Sequence, residues 1–313
     1  MAALICGSLA YDNIALFEGR FREHILPDQI HILNVSFLVP TMRRDFGGCA
    51  GNIAYSLALL GGDARIMATL GEIDAQRYLD RLAELGLSRE HVRVIAEQNT
   101  AQAMITTDLE SNQITAFHPG AMMFSHENHV ADARSEDIRI GIVAPDGLEG
   151  MRSHCAQFAE AGIPFIFDVG QGLPLFDGAA LREMIELATY VTVNDYEARV
   201  LAERTGWSLE TMAERVEALI VTLGEHGARI YQGGTVHDIP AVQAQAVVDP
   251  TGCGDAFRGG LLYGIEHGLD WPTTGRLASL MGALKIAVKG PQNYRFTREE
   301  IATRFEQAFG YRF

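Results

Sequence analysis

The residues best placed to do chemistry lie in one run, Asp249-Pro250-Thr251-Gly252-Cys253-Gly254-Asp255-Ala256-Phe257-Arg258-Gly259-Gly260. Gly252 and Gly254 allow unusual backbone angles and present no side chain to an approaching ligand. Phe257, Leu261, Gly264 and Ile265 recur on one face, so a glycine-rich turn opens a helix. The first N–H groups of a helix lack internal acceptors and form a site for anions. Asp255, just inside that start, reads in two ways. It is a helix cap, or it is a general base that takes a hydroxyl proton while the neighbouring amides stabilise a transferring phosphoryl group. Gly-x-Gly-Asp alone favours the cap.

These residues need a scaffold. Ala3 to Cys6, Arg65 to Leu70, Ile138 to Ala144, Pro164 to Asp168, Tyr190 to Asn194 and Leu219 to Leu223 read as buried parallel strands, and Gln245 to Val248 as a strand leading into the glycine turn. Between them, Ala50, Ile53, Ala54, Leu57 and Leu60 share a helix face, as do Tyr78, Leu82 and Leu85, and Leu181, Ile185 and Ala188. Alternating strands and helices imply an α/β fold, with a mainly parallel central sheet covered by helices on both sides. Four further strand-like stretches fall outside the alternation: Asn13 to Phe17, His31 to Phe37, Gln102 to Thr107 and Gln113 to Phe117. We read them as a small β-sheet lid formed by insertions 11–43 and 98–122 on a single domain spanning 1–313. The alternative is an antiparallel extension of the main sheet.

Composition narrows the function. With 25 basic against 40 acidic residues, the net charge is −15, which argues against nucleic-acid binding. The four cysteines (Cys6, Cys49, Cys155, Cys253) form no Cys-x-x-Cys pair, so a zinc site or disulfide framework is not expected. The N-terminus reads at once as a strand, and no apolar run is long enough to span a membrane. The expectation is a cytoplasmic protein with reduced, mostly buried thiols.

The twelve-residue run resembles the second signature of the ribokinase-like (PfkB) family of carbohydrate and nucleoside kinases. Gly47-Gly48-Cys49-Ala50-Gly51-Asn52-Ile53-Ala54, followed by Leu60-Gly61-Gly62, resembles the first. They stand about 200 residues apart in the family's order. The resemblance implies a ribokinase-like fold and an ATP-dependent phosphotransferase acting on an alcohol, with Mg²⁺. It places the catalytic base on Asp255 and the anion hole on the amides of Gly252, Cys253 and Gly254. It places Asn194 and Glu197 of Asn194-Asp195-Tyr196-Glu197 near Mg²⁺ and phosphate; by themselves Asn194 and Asp195 read as a cap for the helix carrying Glu197 and Val200, and the other signatures favour the functional reading. Thr222, Gly224 and Gly227 would meet ATP. Asp12 would grip two sugar hydroxyls, with Gly48 and Asn52 close to the sugar and Ser36 a weaker contact. A monovalent cation such as K⁺ near Asp249 and Thr251 and a homodimer through the lid are also consistent with it.

Phe117-His118-Pro119-Gly120-Ala121-Met122 and Thr205-Gly206-Trp207-Ser208 are similar to bacterial adenosine and nucleoside kinases within the family. There Phe117 would stack on a base and Gln171 would lie near it. Where such relatives can present a second aromatic, this chain has Ala103 next to Met104, whose flexible side chain suits varied bases. The expected acceptors are therefore purine nucleosides: adenosine, and with it inosine and guanosine. A sugar kinase for ribose or fructose and a non-catalytic nucleoside- or nucleotide-binding sensor are the alternatives. A dinucleotide-binding dehydrogenase is disfavoured, because no Gly-x-Gly-x-x-Gly follows the first strand.

Overall fold

The computed structural model describes residues 2–25 and 34–313. Strand β1 (Ala2–Cys6) leads to β2 (Ala10–Leu16), the one-turn helix α1 (Phe21–His24) and β3 (Thr41–Gly47). Next come α2 (Cys49–Leu59), β4 (Asp63–Gly71), α3 (Ala75–Glu84) and β5 (His91–Ile95). A hairpin of β6 (Ala101–Thr107) and β7 (Gln113–His118) precedes β8 (Ile138–Val143), α4 (Leu148–Ala161) and β9 (Phe165–Phe167). Then follow α5 (Gly178–Leu187), β10 (Tyr190–Asn194), α6 (Asp195–Thr205), α7 (Leu209–Ala213) and β11 (Ala218–Thr222). The chain closes with β12 (Ala228–Gln232), β13 (Thr235–Ile239), α8 (Cys253–Glu266), α9 (Trp271–Ile286) and α10 (Arg298–Phe309).

Nine strands form one sheet in the order β13-β12-β11-β10-β9-β8-β1-β4-β5, parallel except for β12 and β13. Its central strands, β1, β4 and β8 to β11, are mostly buried on both faces, which is why they read as apolar-rich runs rather than alternating ones, whereas β5, β12 and β13 are partly exposed. In β1, Ala3 and Ile5 face a core shared with α2, α8 and α9, while Leu4 and Cys6 face a second core shared with α4, α5 and α6. The chain proceeds to opposite sides of β1, toward β4 and toward β8. The crevice beyond its carboxyl end is therefore the switch point where open α/β sheets bind ligands.

A separate four-stranded sheet, β3-β2-β6-β7, stands over that crevice and is not an extension of the main sheet. Its first strand differs from expectation. Of the expected strand His31 to Phe37, residues 31–33 lie outside the described residues and 34–37 are irregular. Thr41–Gly47 pairs with β2 instead, Asp45 opposite Asp12. The expected strand Gln245 to Val248 is also irregular. Val247 and Val248 are exposed, and the Val248 amide donates to Ile286 O at the end of α9 rather than to a neighbouring strand. β-branched residues mimic a strand here, but the segment pairs with no strand among the described residues.

Glycines set how closely α8 packs. A Cβ on Gly259 would lie 2.6 Å from Ser56 Cβ of α2, and one on Gly260 would lie 2.6 Å from Ala278 Cα of α9. Both distances are shorter than real Cβ contacts, so α8 sits against its neighbours only because these positions lack side chains.

Candidate active site

Asp255 is the third residue of α8, whose N-cap Gly252 takes the left-handed conformation at φ 80°. The close packing of α2 brings Asn52 to it: Nδ2 donates to Asp255 Oδ2 at 2.8 Å. Gln292 Nε2 in turn donates to Asn52 Oδ1 at 3.0 Å, so Asn52 is held from both ends of its amide. Burial pushes the Asp255 carboxyl up to about 6, while Asn52 and Arg258 work against that rise.

Beneath the helix start, Arg258 and Asp168 form a buried two-point pair, Nε to Oδ2 at 2.8 Å and Nη2 to Oδ1 at 3.0 Å. Burial opposes the guanidinium charge, but Asp168 outweighs it and holds Arg258 above its ordinary range. Arg258 Nη1 also donates to Gly254 O at 3.3 Å. The glycine turn thus rests on a fixed ion pair.

The amides of Gly252 and Gly254 have no acceptor among the described residues. Cys253 differs: its amide donates to Pro250 O at 3.1 Å, so one of the three expected anion-hole donors is spent within the turn. Its thiol, half-buried, is pushed up to about 11 chiefly by burial, which keeps it protonated near neutrality.

Asp12 reaches the same crevice from β2. Gly47 makes room for it, since a Cβ there would lie 2.5 Å from Asp12 Oδ2. Burial raises the Asp12 carboxyl to about 6, and the charges of Asp45, Asp255 and Asp249 add to the rise, so Asp12 and Asp255 feel one another across the crevice. Gly48, at φ 85°, carries the chain past Ser8 O, only 2.5 Å from where a Cβ would stand.

The register of the small sheet fixes what shares a face with Asp12. Asp45, Asp12, Ala103 and Phe117 stand opposite one another across its four strands. Phe117 is 53% exposed. Met104 pairs with Asn13 and therefore points to the other face, because successive strand residues alternate. The expectation that Met104 packs beside Ala103 against a base is corrected on that ground.

The pfkB family carbohydrate kinase profile matches residues 19–297. The chain belongs to this family. It is an ATP-dependent phosphotransferase with the ribokinase-like fold. A nucleoside kinase of Methanocaldococcus jannaschii is 30% identical over 275 residues, covering 88% of this chain and 90% of that one. The solved structure of a Burkholderia thailandensis nucleoside kinase in complex with inosine is 68% identical, covers 99% of each chain and superposes with a TM-score of 0.91. The same protein in complex with ADP-inosine gives 69% identity and a TM-score of 0.88, covering 99% of this chain and 97% of that one.

In this pfkB-family chain the residues expected on the nucleotide side stand at the carboxyl ends of adjacent strands. Asn194 and Thr222 end β10 and β11 in register. Gly224 has open space around it, whereas Gly227, at φ 91°, lies against Ile239 O. Asn194 and Glu197 form a capping box for α6: Asn194 Oδ1 accepts from Glu197 N, and Glu197 Oε2 accepts from Asn194 N, each at 2.7 Å. The cap uses one oxygen of each side chain and leaves the Asn194 amide nitrogen and the second Glu197 oxygen. Burial raises Glu197, and Asp168 adds to the rise, which places it beside the same ion pair. Among the described residues no three His, Cys, Asp or Glu cluster to cage a metal. That donor set suits a magnesium ion that arrives with phosphate and keeps its waters.

Two expected residues are not drawn into this group. Ser36 is exposed in an irregular stretch, and Gln171 is exposed in a short turn after β9; neither makes a hydrogen bond to the other site residues among those described. Four residues were missed. Arg43 ties the small sheet to the loop before α8, Nε to Asp45 Oδ2 at 2.7 Å and Nη2 to Asp249 Oδ2 at 3.8 Å. Asp168, Gln292 and Lys285 act from within the core. Only Arg258, inside the signature run, hinted that a buried acid was needed.

Proposed function

We propose that this kinase transfers the γ-phosphoryl group of ATP to the ribose 5′-hydroxyl of purine nucleosides, inosine and guanosine as well as adenosine. The carrying observation is the cross-strand row Asp12–Ala103–Phe117, set over a crevice that also holds Asp255. Two strand spacings, roughly 10 Å, separate a diol-gripping carboxylate from an exposed aromatic ring, which suits the span of a nucleoside. Ala103 between them leaves the trough open. The inosine complex of the Burkholderia thailandensis protein supports the same reading.

Asp12 holds the ribose diol and Gly48 admits it. Asp255, ionised near neutrality and aimed by Asn52, accepts the 5′-hydroxyl proton as that oxygen attacks the γ-phosphorus; ADP leaves with the bonding pair. The Gly252 and Gly254 amides receive the charge on the transferring oxygens. Bound with ATP, Mg²⁺ supplies charge neutralisation, and Asn194 and Glu197 would hold its waters. Thr222 and Gly224 border the nucleotide. The small sheet, with insertions 11–43 and 98–122, serves as a lid that excludes water, and its outer face pairs with a second copy. A cytoplasmic location fits this salvage chemistry.

ADP formation across inosine, guanosine, adenosine, ribose and fructose tests the reading. Phe117→Ala should raise KM for nucleosides by about 5- to 150-fold, the loss of one base-stacking contact, while any ribose turnover stays unchanged. Ribose turnover exceeding that of every nucleoside would replace this reading with the free-sugar kinase.

A further inference from the structure

Lys285 is a cation buried where none was anticipated. It lies in the last turn of α9 with its side chain fully enclosed. A buried ammonium persists only when its N–H groups find acceptors. Here they are main-chain carbonyls: Nζ donates to Asp249 O at 2.6 Å and to Val288 O at 3.1 Å. The Asp249 carboxylate is committed elsewhere, Oδ1 to the Thr251 amide and Oδ2 to the Gly290 amide. Burial pulls the Lys285 amine down, and neighbouring Asp249 pulls it back toward the charged form.

The two carbonyls belong to the segment entering α8 and the segment leaving α9. The amides of Val248 and Asp249 also donate to Ile286 O, at 2.9 and 3.1 Å, so the segments are laced together around the ammonium. Gly252 follows three residues later, and the turn bond from Cys253 N to Pro250 O transmits any shift of residue 249 to the amides that face phosphate.

We propose that the Lys285 ammonium is a tethered monovalent cation. It holds the phosphate-facing turn through two carbonyls and makes turnover indifferent to the alkali ion in solution. Ammonium and potassium are close in size, and ring-like sets of carbonyl dipoles accommodate such cations. The charge that the sequence reading allowed near Asp249 and Thr251 is thus supplied by the chain itself. Lys285 is a positioning residue, acting through residues 249–252 without touching substrate. This inference rests on the kinase reading of the site.

The test uses the full chain at constant ionic strength in sodium, potassium or tetramethylammonium chloride. Wild-type kcat should not depend on the ion. Lys285→Ala should lower kcat by about 10²-fold, the usual cost of a small misplacement, with nucleoside KM little changed. Potassium, ammonium or methylammonium should then restore kcat saturably, while tetramethylammonium should not. Lys285→Met, which refills the space without charge, should be slow and not rescued. Thermal melting of Lys285→Ala gives a second readout, a saturable rise in Tm with potassium over tetramethylammonium, which does not depend on activity. A wild type that requires potassium overturns the proposal, as does a Lys285→Ala protein that keeps full kcat or responds to no cation in either assay. Failure of the kinase reading looks different: no ADP from any acceptor, with the melting response intact.

Discussion

Asp255 serves as a base only if its carboxylate is both ionised and aimed, and Asn52 bears on both. Replacing Asp255 by Asn should cut kcat by ~10²- to 10⁴-fold while nucleoside binding, read by calorimetry, is kept; binding lost in parallel would make Asp255 a structural cap. Burial pushes both Asp12 and Asp255 up to about 6, and in the proposed mechanism both act ionised. The kcat/KM profile should therefore fall below about pH 6 with a slope between about one and two, and Asp12→Asn should reduce the slope to about one. A buried acid away from the site gives a stability prediction. Asp146 Oδ2 is buried beside the Ser125 hydroxyl, and burial pushes the carboxyl up to about 8, against the pull of the Gly147 amide and that hydroxyl. An unfolded aspartate ionises near about 4, so the native state holds an extra proton between the two values. Its stabilising contribution is full below the lower value and is lost as pH rises through the upper one. Asp146→Asn should flatten the decline in Tm between about pH 5 and about pH 8.5; an unchanged decline would place the titration elsewhere.

In the proposed reading helix α6 serves structure and chemistry at once. Its capping box accounts for why Asn194 and Glu197 stand three residues apart, without any reference to a nucleotide. Asn194→Ser keeps a capping oxygen but removes the amide nitrogen, whereas Asn194→Ala removes both. The alanine variant should lose ~1 kcal/mol of stability by denaturant unfolding, the ordinary cost of an N-cap. The serine variant should keep stability yet show a raised KM for ATP. A serine variant with wild-type kinetics would leave Asn194 as a cap alone. The period-two alternation of β6 carries a further lesson, since one residue of register sends Met104 away from the crevice and leaves Ala103 in it.

At the scale of the molecule, the small sheet has two unlike faces. One carries Asp12 and Phe117 over the crevice. Met42, Ala15, Thr106 and Ile114 stand in one row of the other, which also carries Met104. Met42, Met104 and Ile114 are exposed there. Apolar side chains gathered on one sheet face are candidates for burial against a partner. Sedimentation should give twice the chain mass of 34.2 kDa. Met42→Lys with Met104→Lys should return it to one chain, and a wild-type monomer at assay concentration would remove the dimer from the proposal.

Local chemistry was legible in the sequence by itself. Apolar-rich runs gave β1, β4, β8 and β10 within a residue or two, because central parallel strands are covered on both faces and admit few polar residues, here Thr69, Arg139 and Thr192. The glycine turn at residues 252–254 announced a helix start, because few other residues allow that backbone. What only the tertiary structure decided was which distant residues meet. The Asn52–Asp255 bond joins positions 203 apart and the Arg258–Asp168 pair joins positions 90 apart. Such partners have no local periodicity to betray them. The same holds for β3, since nothing local showed that Thr41–Gly47 would pair with β2, and for Lys285, whose charge near the end of a largely apolar helix gains meaning only from the two carbonyls folded around it.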